Sequence, residues 1–274
     1  MKKILIILSL IAFVSCEDVI TVDLETEAPR LVIDANINWE KGTSGATQTI
    51  LLSLSHGYYD NTIPKVSGAT VYVTNSENSV FDFIEEPATD LNSGRYTCEN
   101  FVPVLGETYT LTVIHKGQTY RSTEKLMATP DITSVEQRSD LGLNNDEIGI
   151  KVFWNDIPNE RNYYLVRFES VANAFPEYTI IDDRYNQGNV MNELYGDEDL
   201  EVGNTVNIIL YGISERYSNY MGILIAASTG GGGGPFQVTP SAVKGNIVNQ
   251  TNTKDYAYGY FRLGETDTLP YEIQ

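Results

Sequence analysis

The chain has 274 residues, of which 18 are basic and 37 acidic, giving a formal net charge of −19. A surface this acidic repels nucleic acid and anionic bilayers alike, and no basic patch with interleaved aromatics offsets it, so DNA or RNA binding is excluded. With two cysteines in all, Cys16 and Cys98, no disulfide framework supports the fold.

The chain starts with the layout of an export signal. Met1-Lys2-Lys3 is a basic start, residues 4–14 are an apolar run, and Ser15-Cys16 closes it before Glu17-Asp18. The run is too short for a spanning helix, which needs about 20 residues. A cysteine directly after a small residue at that point resembles a bacterial lipobox, where the thiol is acylated and the chain is cut before it. Residues 1–15 are therefore expected to be a lipoprotein signal peptide, with lipid, palmitate included, on Cys16. Residues 16–28 read as an acidic tether without periodicity.

Residues 29–129 carry strand signals. Apolar alternation or short apolar runs recur at residues 31–37, 49–55, 69–74, 80–84, 94–98 and 108–113, and residues 115–118 (HKGQ) make a hairpin turn into a further strand. Seven short strands at this spacing predict an antiparallel sandwich. Residues 66–73, 94–96 and 106–113 are similar to immunoglobulin-like modules of bacterial surface proteins, a likeness of fold that brings no chemistry.

Thr129-Pro130-Asp131 is the expected domain boundary. Beyond it, residues 147–154 alternate up to Trp154, Asn155-Asp156-Ile157-Pro158 turns, and residues 162–168 form a tyrosine-rich strand. This order resembles a fibronectin type III repeat, with Trp154 in its core. Residues 170–202 are looser and predict a long loop with one or two short strands. Residues 205–210 are again strand-like. Tyr217, Tyr220, Met221, Leu224 and Ser228 then fall on one helical stripe, which predicts a helix over about 214–229 capped by Ser214. The fold expected is all-β in the main: two tandem immunoglobulin- or fibronectin-like β-sandwich domains, 29–129 and 130–274, with one helix. The glycine run 230–234 before Pro235-Phe236 is either a loop tip or a place where a partner approaches closely. Two final strands are expected near residues 245–248 and 256–263.

The order of these C-terminal features carries a family resemblance. A helix with Tyr217 and Tyr220, a glycine-rich loop ending in Pro235-Phe236, then Gly245-Asn246-Ile247 and Tyr258-Gly259-Tyr260-Phe261 resemble a Bacteroidota outer-membrane lipoprotein family of unknown function. Residues 31–35 and 154–164 agree with it. That resemblance implies an outer-membrane, lipid-anchored protein, encoded beside a TonB-dependent transporter and serving it as a non-enzymatic accessory or cargo-binding component. The acidic residues directly after Cys16 resemble signals that send such lipoproteins to the outer face of the membrane, so cell-surface exposure is a further expectation. It brings no catalytic residues. The alternative is a structural or adhesive surface lipoprotein whose sandwiches act as spacers.

Chemistry-bearing motifs are sparse. His56, His115 and Cys98 match no zinc spacing, and there is no nucleophile elbow, zinc-protease helix or Walker loop. No cofactor, metal or catalytic residue is expected. The acidic loop 195–201 lacks the order of a calcium loop and reads as solvated. Asp267-Thr268-Leu269 resembles a short O-glycosylation sequence, which makes Thr268 a candidate acceptor. Tyr217, Tyr220, Gly231, Gly232, Gly233 and Phe236 are the candidate partner or ligand surface.

Overall fold

The computed structural model describes residues 28–57, 60, 62–86, 93–142, 147–228 and 242–274. Cys16, the glycine run with Gly231, Gly232 and Gly233, and Phe236 lie outside the described residues. In chain order the strands are β1 (Leu31–Glu40), β2 (Gln48–Leu54), β3 (Thr70–Asn75), β4 (Val80–Glu85), β5 (Arg95–Cys98), β6 (Thr108–His115), β7 (Gln118–Met127), β8 (Ile132–Leu141), β9 (Glu147–Asn155), β10 (Tyr163–Ser170), β11 (Glu177–Asp182), β12 (Val190–Gly196) and β13 (Thr205–Ile213). Helix α1 (Glu215–Ser228) follows, then β14 (Val248–Asn249) and β15 (Tyr258–Glu272). The described chain is mostly β with one helix, and strands stand at each place where apolar alternation predicts one. The loose stretch 170–202 holds two, β11 and β12.

The strands do not divide into two separate sandwiches. Hydrogen bonding runs β15, β1, β2, β5, β4, β3, β6, β7 and then returns to β15 through Leu263 opposite Leu126 and Gly264 opposite Met127, which closes a ring of eight strands. A ring of this size is just wide enough to be filled by side chains. Ile33, Ile37, Ile50, Leu111, Phe261 and Leu263 fill it, each at 0% exposure. The β6–β7 hairpin turns at Lys116 (φ 48°) and Gly117 (φ 75°), the two positive-φ positions that a tight hairpin with native twist requires.

The eighth strand comes from far along the chain. β15 lies parallel to β1 from Val32 opposite Tyr258 to Glu40 opposite Thr266. Parallel neighbours need a crossover connection, and here the chain between them makes the other six ring strands and the second unit. Residues 245–265 therefore belong with residues 31–127, not with a separate domain 130–274. From Thr266 onward β15 pairs antiparallel with β13 instead, so one strand serves both units.

The expected boundary is also clamped rather than loose. Thr129 donates from its backbone N to Glu265 Oε2 (3.1 Å) and from its hydroxyl to the Glu265 carbonyl (2.7 Å), and Ile132 N donates to Asp267 Oδ2 (2.7 Å).

The second unit is layered. β12, β9 and β8 form one sheet, and β11, β10, β13 and the later half of β15 form the facing one. Trp154, fully buried, stands edge-on to Tyr164 at 5.8 Å between them, the core role expected for it. β13 is buried on both faces: Val206, Ile208 and Leu210 face the three-stranded sheet, while Ile209, Tyr211 and Ile213 lie under α1. That double burial explains its nearly unbroken apolar sequence.

Candidate functional site

Helix α1 begins where the Ser214 hydroxyl accepts a hydrogen bond from Tyr217 N at 3.2 Å, the cap expected from sequence. The helix buries Tyr217 against Tyr260, with ring centroids 4.9 Å apart at 67°. The Arg262 guanidinium lies 5.4 Å from the Tyr217 ring and 5.0 Å from that of Tyr211. At 7% exposure Tyr217 is therefore core, and it does not belong to the surface proposed for it from sequence. The cause is that β15 offers Tyr260 and Arg262 on the outside of the ring, and the helix covers them.

Tyr220 is different. It is half-buried, sits 4.8 Å from the Tyr260 ring, and lines a recess of about 280 Å³ between α1 and the segment 244–246. Arg216, Asn219 and Ile223 line it from the helix, and Lys244 and Tyr260 from the other side. Lys244 Nζ rests 3.8 Å above the Tyr256 ring, which fixes one wall. Burial first, then the neighbouring Tyr217 and Asp34, pushes the Tyr220 phenol up to about 12. Burial and then the Glu124 carboxylate raise Tyr260 as well. Both rings therefore remain neutral at physiological pH.

Behind the recess a polar knot closes a gap. β7 and β15 share two residue pairs and then splay apart, and Asn246 fills the opening. Its side-chain oxygen accepts from Phe261 N (2.9 Å), and its side-chain nitrogen donates to the Phe261 carbonyl (2.8 Å) and to Glu124 Oε2 (3.2 Å). The Tyr260 hydroxyl donates to the same Glu124 oxygen at 3.1 Å. The two glycines of the sequence motifs have a matching reason. A Cβ on Gly245 would stand 1.7 Å from the Gly259 carbonyl oxygen, and one on Gly259, at φ 95°, would stand 2.0 Å from that of Ile33.

Glu124 and Arg262 were not singled out by sequence reasoning, and Asn246 entered only as part of the motif Gly245-Asn246-Ile247. A signal for Glu124 was present: it shares the inward alternation of Tyr120, Ser122 and Leu126. Arg262 is 3% exposed and donates to the side-chain oxygens of Asn36 (3.4 Å) and Asn38 on β1.

The remaining candidates fall elsewhere. His56 is exposed and His115 is half-buried at its hairpin, where burial and then Lys116 lower its pKa. Cys98 is buried and donates to Asn100 Oδ1. In the loop 195–201, Asp197 accepts from Asp199 N (2.9 Å) and Asn173 Nδ2 (2.5 Å), so protein N–H groups face both its oxygens. Among the described residues no group of three or more His, Cys, Asp or Glu side chains converges in a way that could hold a metal ion. Thr268 is exposed on β15, and its hydroxyl donates to Glu40 Oε2 at 2.9 Å.

Fold and site together define a mostly-β protein with a closed ring, a layered second unit and one amphipathic recess at the helix–strand seam. The chain belongs to the family described as "Domain of unknown function (DUF4249)", which matches residues 17–269. No curated protein matches it. Among solved structures it is similar to a two fibronectin type III domain segment of chicken tenascin, at 12% identity over 68% of this chain and 91% of that one, with a TM-score of 0.22. It is also similar to a DUF4785 family protein from Legionella pneumophila, at 11% identity over 66% of this chain and 52% of that one, with a TM-score of 0.24.

Proposed function

We propose that this chain is an outer-membrane lipoprotein, anchored through Cys16, that serves a TonB-dependent nutrient transporter as a non-enzymatic accessory or cargo-binding component. The observation that carries the reading is the run from Met1 to Cys16, a basic start and a short apolar segment ending at a cysteine, ahead of an acidic stretch. Lipid on Cys16 confines the chain to a plane, where even a weak contact with a barrel gains effective concentration. The motif order given above supports the Bacteroidota setting. The recess beside Tyr220 is read as the cargo site, in preference to a larger, acid-lined recess of about 510 Å³ between Asp82 and Asn100. In this reading the second unit is a fibronectin type III-like sandwich with α1 laid on its outer face.

A second reading is favoured by β15. One strand hydrogen-bonded into both units makes a stiff body, which suits a spacer in a structural or adhesive surface lipoprotein.

Two measurements test these readings. Cys16→Ser is expected to move the protein from the membrane to the soluble fraction, and unchanged membrane retention would overturn the anchor. Purification of the native protein in mild detergent is expected to bring a transporter barrel with it. Repeated recovery of pilus or adhesin subunits instead would favour the spacer.

A further inference from the structure

We propose that the recess between α1 and residues 244–246 binds a small molecule made of one ring bearing one carboxylate. This rests on reading the recess as the cargo-binding part of the function proposed above, and it names the chemical class of the cargo.

In a chain of net charge −19, the side chains lining this recess bring two cations, Arg216 and Lys244, and no carboxylate. The lining side chains therefore carry the sign opposite to that of the chain as a whole, and a carboxylate is the small anion that a guanidinium and an ammonium hold with charge-assisted hydrogen bonds. Glu124, behind Tyr260 and Asn246, already accepts from both and is 7% exposed. It is not free to hold a cation in the recess.

The body of the ligand follows from the other lining groups. The Tyr220 ring packs on Tyr260, with centroids 4.8 Å apart and planes at 41°, and forms the aromatic floor. Tyr260 is 5% exposed, with its hydroxyl donated to Glu124 and its ring packed on Tyr217 and Tyr220, so it backs Tyr220, whose half-buried ring is the aromatic surface of the recess. Tyr220 and Asn219 add polar groups at the rim, and Ile223 adds an apolar edge. A flat or ring-shaped body resting on such a floor gains stacking and apolar contact. Size sets the limit: about 280 Å³ is just below the range of roughly 300–1,000 Å³ typical of small-molecule sites, which fits one ring and not a chain of them.

The test uses the full mature chain and four probes in titration calorimetry or ligand-detected NMR. Benzoate carries the carboxylate on an aromatic ring and glucuronate on a saturated one, so whichever binds more tightly identifies the ring. Benzamide lacks the charge and acetate lacks the body. Each of these two is expected to bind at least about tenfold more weakly than the better ring acid. The double variant Arg216→Gln, Lys244→Gln alters exposed side chains only and is expected to fold as the parent does, while losing about tenfold or more in affinity for the ring acid. Tyr220→Ala is expected to weaken both ring acids and leave acetate unchanged. The proposal is overturned if neither ring acid binds at millimolar concentration, if benzamide binds as tightly as benzoate, or if the double variant binds like the parent. None of these results would disturb membrane attachment or recovery of a transporter, so a failure here is distinct from a failure of the broader reading.

Discussion

Asn246 grips both backbone polar groups of Phe261, accepting from its N–H at 2.9 Å and donating to its carbonyl at 2.8 Å. A side-chain amide thus does the work of a strand neighbour at the place where β7 and β15 have parted. Removing it would leave the N–H and carbonyl of Phe261 and the Glu124 carboxylate short of a partner inside the protein. Asn246→Ala is expected to lower the unfolding free energy by about 3 kcal/mol, the scale of such orphaned groups. Asn246→Asp would set a second carboxylate against Glu124 and is expected to cost more still. Urea unfolding of the three proteins checks the order; equal midpoints would mean that the amide is not part of the closure.

The glycines near this knot make opposite demands. Gly245→Ala would push a methyl group to 1.7 Å from the Gly259 carbonyl, backbone against backbone, so the segment must move away and the recess with it. A marked loss of thermal stability is expected. Gly222, on the exposed side of α1, has its nearest neighbour for a new Cβ at 3.8 Å, an ordinary contact. Gly222→Ala is expected to stabilise by about 0.5–1 kcal/mol, because alanine is the better helix former. Melting temperatures that move in opposite directions would bear this out.

Glu193 on β12 is half-buried, and burial, followed by the nearby Glu177, raises its pKa despite a hydrogen bond to Thr179. A carboxyl group whose folded pKa exceeds its unfolded one favours the fold in its protonated form. That advantage is complete below the unfolded value and is lost as pH rises through the folded value. Glu193→Gln resembles the protonated form, so it is expected to raise the melting temperature at neutral pH. The difference should shrink as pH falls through the ordinary carboxylate range. A constant difference at all pH values would locate the effect in packing instead.

The Cys98 thiol is buried, and burial pushes its pKa up, so little thiolate is available to react. A colorimetric thiol reagent is expected to leave the folded protein untouched and to label Cys98 fully in denaturant. Rapid labelling under native conditions would show that β5 opens.

Most strands were legible because alternation reports a half-buried strand directly, as at Ile33, Ala35 and Ile37 in β1. The helix was legible for the same reason at a different period. Ring closure was not, because the partner of β1 lies more than two hundred residues away and nothing local in residues 258–264 says which neighbour they will take. Arg262 shows the limit most plainly. In an alternating strand it stands on the side opposite Phe261 and Leu263, the side normally given to solvent, yet α1 and Tyr211 cover it. Tyr217 failed as a surface residue for the same reason: sequence places it on a stripe and cannot say what the stripe meets. The recess depended on both facts and was half visible, through Tyr220 and the Gly245-Asn246 motif, with Arg216 and Lys244 unseen.

Because β15 is one of the eight members of the ring, residues 31–127 cannot complete their own core until residue 264 has been made. A nascent chain would leave Ile33, Ile37 and Leu126 beside an open slot throughout synthesis of the second unit. The N-terminal portion is thus held back from early commitment to its final shape.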